Sequence, residues 1–150
     1  MDIIYQASDL ATKRREFLEA ARAGRAHLRD TDGTNLVALR AEELEVLEGL
    51  AYWSAQHRRL SRLLHGTEKL TVDRLGDLAW LRAFDRDDVE AFEDELSDCL
   101  IAASADRNLA VLEEALRAWR TTAQQLDDPL RRSVLLSRHD QREFIEVRDA

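Results

Sequence analysis

Lys13, Arg14 and Arg15 are three consecutive cations, with Arg22 and Arg25 following in the same stretch. Side chains of this kind contact phosphate. At the start of a helix they act together with backbone amides that have no intrahelical acceptor. Glu16 and Glu19 stand among them, so a solvated, self-neutralised helix face is the competing reading. A second basic run, Arg58, Arg59, Arg62, Lys69 and Arg74, reads more simply as the outer face of a helix and its connection. Opposite in sign, residues 85–110 carry nine acids against Arg86 and Arg107. Self-repulsion makes such a face costly unless it is well solvated or meets something basic.

Enzyme chemistry finds little to work with. His27, His57, His65 and His139 are scattered, and His57 and His65 stand more than two helical turns apart, too far to share a metal without a loop between them. Cys99 is the only cysteine and sits within an apolar helical stripe, where a buried, inert thiol is expected. Gly24, Gly33, Gly49, Gly66 and Gly76 never cluster into a phosphate-cradling loop. Glu93, Asp94 and Glu95 are adjacent, and neighbouring helical side chains diverge by about 100°. The expectation is therefore a protein without catalytic residues, metal or cofactor.

The elements that must position these residues are mostly helices. In 150 residues there are only five glycines and one proline, too few breakers for a many-stranded sandwich or barrel. Strand character is confined to the first 40 residues: Ile3-Ile4-Tyr5, a segment through Ala26-His27-Leu28-Arg29, and Asn35-Leu36-Val37-Ala38-Leu39. Between the first two lies a helix over about 9–23. Ser8 or Asp9 is placed to accept from its first turn, Leu10, Phe17, Leu18 and Ala21 lie along it, and Gly24 is its stop. Asp30-Thr31-Asp32-Gly33-Thr34 supplies a turn in which Asp-Gly tolerates positive φ, which gives a β-α-β-β order.

From Glu42 the apolar period becomes 3.6, through Val46, Leu50, Trp53, His57, Leu60 and Leu64, and predicts one long helix ended by His65-Gly66-Thr67. A shorter helix is expected over about 71–84. Two cleaner stripes follow: Val89, Phe92, Leu96, Cys99, Leu100 and Ala103 behind the acidic cap Asp85 to Asp88, then Leu109, Leu112, Leu116, Trp119, Ala123 and Leu126. Asp128-Pro129 opens a further short helix through Leu135 and Leu136, and Phe144-Ile145-Glu146-Val147 reads as extended. Trp53, Trp80 and Trp119 read first as core residues. Trp80 lies off its apolar line and is also a candidate interface anchor.

The stretch from Ser8 to Leu39 resembles the Phd/YefM, or prevent-host-death, family of antitoxins. The likeness is one of register: Ser8, Lys13-Arg14-Arg15, Phe17-Leu18, Arg22-Ala23-Gly24, then a hairpin through Asp30-Thr31-Asp32-Gly33. Glu42-Glu43-Leu44-Glu45-Val46-Leu47 resembles the family's dimer-building helix, and Leu116 to Ala123 with Asp128-Pro129-Leu130-Arg131 is similar to toxin-facing tails of some members. Many relatives carry basic residues on both sides of the hairpin glycine, where this chain has Asp30, Asp32 and Thr34.

The resemblance implies an α+β fold: a dimerising β-α-β-β module over 1–53, a helical region over 54–127 and a toxin-binding tail over 128–150. It implies an antitoxin that blocks a cognate, basic toxin by direct binding, forms a homodimer through Leu44 and Leu47, and binds operator DNA through Ser8, Lys13, Arg14 and Arg15. Toxin contacts fall on Trp119, Leu130, Leu135, Leu136, Phe144 and Val147. The alternative is a helical adaptor or transcriptional regulator that keeps the dimerisation fold without a toxin. A lone cysteine, no apolar run near the roughly 20 residues of a membrane span, and no basic-then-apolar leader predict a cytoplasmic protein with no membrane partner.

Overall fold

In a computed structural model of the chain, residues 2–128 are described. The expected helix after Asp128, the extended segment 144–147, and Leu130, Leu135, Leu136, Phe144 and Val147 lie outside them. The chain divides into two compact units, Met1–Gly49 and Leu50–Ala150, the division falling within one long helix.

The first unit holds a three-stranded sheet of order β1-β2-β3, with β1 at Ile4–Gln6, β2 at Arg25–Arg29 and β3 at Asn35–Leu39. β1 and β2 run parallel, with Tyr5 opposite Leu28, so a crossover must join them, and two short helices provide it. These are α1, Asp9–Thr12, and α2, Arg14–Ala23. The expected single helix over 9–23 is thus interrupted at Lys13, whose φ of −119° and ψ of 26° leave the helical region. No proline or glycine marks that break. The helix does stop at Ala23, yet Gly24 there has a φ of 167°, which is extended rather than left-handed.

β2 and β3 form the hairpin, His27 facing Val37 and Ala26 facing Ala38. Gly33 takes the positive φ that its turn requires, 87°. Strand alternation buries Tyr5 between the exposed Ile4 and Gln6, and among the described residues of the unit the buried ones are Tyr5, Ala21 and Ala26. The Phe17 ring meets Tyr5 edge-on at 5.6 Å.

The second unit is helical. α3, Ala41–His65, enters it from the first, followed by α4, Val72–Leu75, a 3-10 segment over Gly76–Ala83, α5, Arg86–Asp106, and α6, Ala110–Asp127. Its core is built from the stripes that the period predicts: Leu60 of α3, Val89, Phe92, Leu96, Cys99 and Ala103 of α5, and Leu112 and Leu116 of α6, closed by Leu75, Leu78 and Leu81. Asp85 caps α5 by accepting from the Asp88 amide at 2.9 Å. At its other end Arg107 adopts a left-handed φ of 52°, which lets the Asn108 amide bond to the Ala103 carbonyl at 3.2 Å.

The helix expected over 71–84 is broken at Gly76. A Cβ on Gly76 would meet the Arg59 guanidinium at 2.7 Å, and the same guanidinium donates to the Leu75 carbonyl. The backbone there is shaped around a side chain sixteen residues earlier, which no local pattern reports.

Arg86, in the first turn of α5, closes α3. Its Nη2 donates to the Leu64 carbonyl at 2.7 Å and the Gly66 carbonyl at 2.6 Å, supplying cation and donors to a helix end that has carbonyls to spare. Arg86→Ala is expected to cost about 2 kcal/mol, the range for hydrogen bonds to a charged group. Arg86→Lys should recover only part, since an ammonium lacks the planar fork. Calorimetry checks both, and an Arg86→Ala melting midpoint equal to the parent's would remove this role.

Candidate functional site

The first unit carries the N-terminal basic cluster, the hairpin turn and several exposed large apolar side chains. Ser8 precedes α1 in helical conformation and makes no side-chain cap bond, contrary to the expected cap. Asp9 does not cap the first turn either, because its Oδ2 accepts backwards from the Gln6 amide at 2.8 Å. Lys13, Arg14 and Arg15 follow at the α1–α2 break and are all exposed. Arg15 Nε lies 3.3 Å from Glu19 Oε1, an exposed i,i+4 pair of small energetic weight, whereas Lys13 and Arg14 have no ion-pair partner among the described residues.

Asp30 and Asp32 are occupied by the turn itself. Asp30 Oδ1 accepts from the Thr31 amide at 2.7 Å and Asp32 Oδ1 from the Thr34 amide at 2.9 Å. The bond from the Thr34 backbone, with its hydroxyl second, holds the Asp32 carboxyl below its ordinary value. Both acids therefore serve hairpin geometry, and they leave the turn negative.

Leu44 and Leu47 lie on the first turns of α3 at 45% and 43% exposure. Ile3, Ile4, Leu18, Leu36 and Val37 are exposed on the same unit. So many large apolar side chains against three buried residues is the reverse of an ordinary monomeric domain.

In the second unit Trp119 is held by the core. Its ring packs edge-on to Phe84 and Phe92 at 5.3 and 5.5 Å, and its Nε1 donates to Glu95 Oε2 at 2.7 Å. Trp80, off its apolar line in sequence, is half-buried and meets Phe92 edge-on at 5.3 Å. The Arg120 guanidinium lies 5.6 Å from the Trp53 and Trp80 rings alike. Burial, with Glu95 and Asp98 adding to it, pushes the Cys99 thiol up, away from the reactive thiolate.

His57 and Glu93 are the pair that sequence reasoning missed. Nε2 of His57 stands 3.3 Å from Glu93 Oε1, both side chains being mostly buried. His57 reads in sequence as one more member of an α3 stripe and Glu93 as one more acid of α5, and no short spacing links them. His65, by contrast, turns its Nδ1 to its own helix, 2.7 Å from the Ser61 carbonyl. Among the described residues no group of three or more histidine, cysteine or acidic side chains is placed to hold a metal. No helix among them is long and apolar enough to cross a membrane.

Comparison with protein-family models, with curated proteins and with solved structures finds no match for this chain.

The Asp32 bond has a consequence for acid stability. A carboxyl lowered by folding stabilises the hairpin fully above its ordinary value of 3.8 and loses that contribution as pH falls through the lowered one. The Thr34 amide resonance is therefore expected to titrate below 3.8, and to lose this step in Asp32→Asn. A midpoint at or above 3.8 would contradict the hydrogen-bonded turn.

Proposed function

We propose that the chain is the antitoxin of a type II toxin-antitoxin system, a homodimer through its N-terminal unit that neutralises a basic cognate toxin by direct binding and binds its own operator. The observation that carries the reading is the incomplete N-terminal unit. A β-α-β-β module of about 50 residues buries too little of its surface to stand alone. Here Leu36 and Val37 on β3 and Leu44 and Leu47 on α3 remain open to solvent. A second copy is the occupant that symmetry supplies most simply, and it doubles the number of cations that Lys13, Arg14 and Arg15 present to an operator.

Toxin binding is assigned to residues 128–150, helped by the acidic segment 85–110. That segment's nine acids against two bases give a long-range attraction for a basic partner, which raises the rate of encounter more than the strength of the final complex. The apolar anchors Leu130, Leu135, Leu136, Phe144 and Val147 would then supply the affinity.

Two experiments test this. Leu44→Asp with Leu47→Asp is expected to halve the mass in sedimentation and, in the same preparation, to abolish retention of duplex from the upstream operator. An unchanged mass rules out this dimer face. Deleting 128–150 should preserve dimer and melting transition yet abolish rescue of cells that express the small basic protein encoded beside this chain. Rescue by the truncated chain would move toxin binding elsewhere, and the lack of any toxic neighbour would end the antitoxin reading.

A further inference from the structure

α3 carries Ser54, His57, Arg58, Ser61 and Arg62 at spacings of three, one, three and one, which places them on one helical face. In the second unit this face borders a shallow cavity of about 370 Å³, open to solvent, with Leu100 of α5 on its apolar side. Every α3 residue of the lining ends in a hydrogen-bonding group. Arg58 and Arg62 have no ion pair or hydrogen-bond partner among the described residues, although the protein as a whole carries 30 acids against 22 bases. Their neighbour in sequence, Arg59, is committed elsewhere, to the Leu75 carbonyl. His57 faces Glu93, whose Oε1 stands 3.3 Å from its Nε2, and makes no side-chain hydrogen bond among the described residues.

From this arrangement we propose that the α3–α5 cavity binds a single phosphoryl group of a small molecule, gripped by Arg58 and Arg62 with Ser54 and Ser61 as hydroxyl donors. Two arginines four residues apart on one helix have their Cα atoms about 6 Å apart along its axis, close enough for both long side chains to reach one anion. Guanidinium is the side chain whose planar donors match phosphate oxygens in pairs. Hydroxyls one helical turn away satisfy the oxygens that remain. The acids of α5 set the limit on size: an extended nucleic-acid backbone would have to run along a segment with nine acids and two bases, whereas one compact anion between the two arginines meets less of it, Glu93 beside His57 being the acid paired with the lining. The site is independent of the operator contacts assigned to Lys13, Arg14 and Arg15 and of any toxin.

The test is a nuclear magnetic resonance titration of the full chain with inorganic phosphate, against sodium chloride at matched ionic strength and against acetate. Expected are saturable shifts at Ser54, Arg58, Ser61, Arg62 and Leu100 with phosphate, none with chloride, and weaker binding of acetate. Arg58→Gln with Arg62→Gln should weaken phosphate binding by at least about tenfold while keeping the parent's melting midpoint, since both side chains are exposed. Arg58→Lys with Arg62→Lys, a second variant that retains the charge, should bind at an intermediate level. Shifts that match those of chloride overturn the proposal, as does phosphate binding that survives the glutamine pair. Acetate binding as tight as phosphate's overturns the assignment to a phosphoryl group.

Discussion

Burial of one face of α5 is the constraint on which the helical unit depends. Val89, Phe92, Leu96, Cys99 and Ala103 form a continuous apolar stripe on a helix whose remaining surface is dominated by acids. That helix has a single way to face. Its charges must stay solvated or paired, so every other element of the unit is arranged to cover the stripe. Phe92 is the centre of this arrangement, with Trp80 and Trp119 edge-on to it at 5.3 and 5.5 Å. Fully burying each such aliphatic or aromatic side chain contributes roughly 1.5–3 kcal/mol, which makes the stripe the main favourable entry in the unit's stability.

Cations are then placed where helices end or aromatic faces are open. Arg86 serves the last carbonyls of α3, Arg59 the carbonyl that ends α4, and Arg120 the Trp53 and Trp80 rings. Each uses a guanidinium's planar donors or its weak hydration at a site where an ammonium would serve less well. Arg58 and Arg62, on the same α3 segment as Arg59, have no such structural task, and that contrast gives the α3–α5 cavity its interest. The acidic balance of the chain therefore does not describe its local fields: the basic run on α3 borders a helix of opposite sign.

The N-terminal unit follows a different economy. Three buried residues, two of them alanines, cannot hold a sheet and its crossover helices in the way Phe92 holds α5. Hairpin chemistry contributes to its stability, and Leu36, Val37, Leu44 and Leu47 stay exposed. The hairpin chemistry is local and complete, with Asp30 and Asp32 each spent on a turn amide. These apolar side chains remain exposed, and homodimerisation is the proposal that accounts for them.

Several features were legible in the sequence because they rest on interactions within a few residues. The 3.6 period of α3, α5 and α6, the Asp85 cap and the positive φ of Gly33 all belong to this kind, as does the order of strands and helices before residue 40. Tertiary structure alone decided the rest. Gly76 breaks a helix where Arg59 lies against it, His57 of the α3 stripe stands beside Glu93, and Trp119, already a core residue by its stripe, takes Phe84, Phe92 and Glu95 as its partners. The physical reason is separation along the chain. Periodicity and capping record what a residue does with its own turn, whereas a guanidinium, an imidazole or an indole N–H reaches partners that only packing brings near.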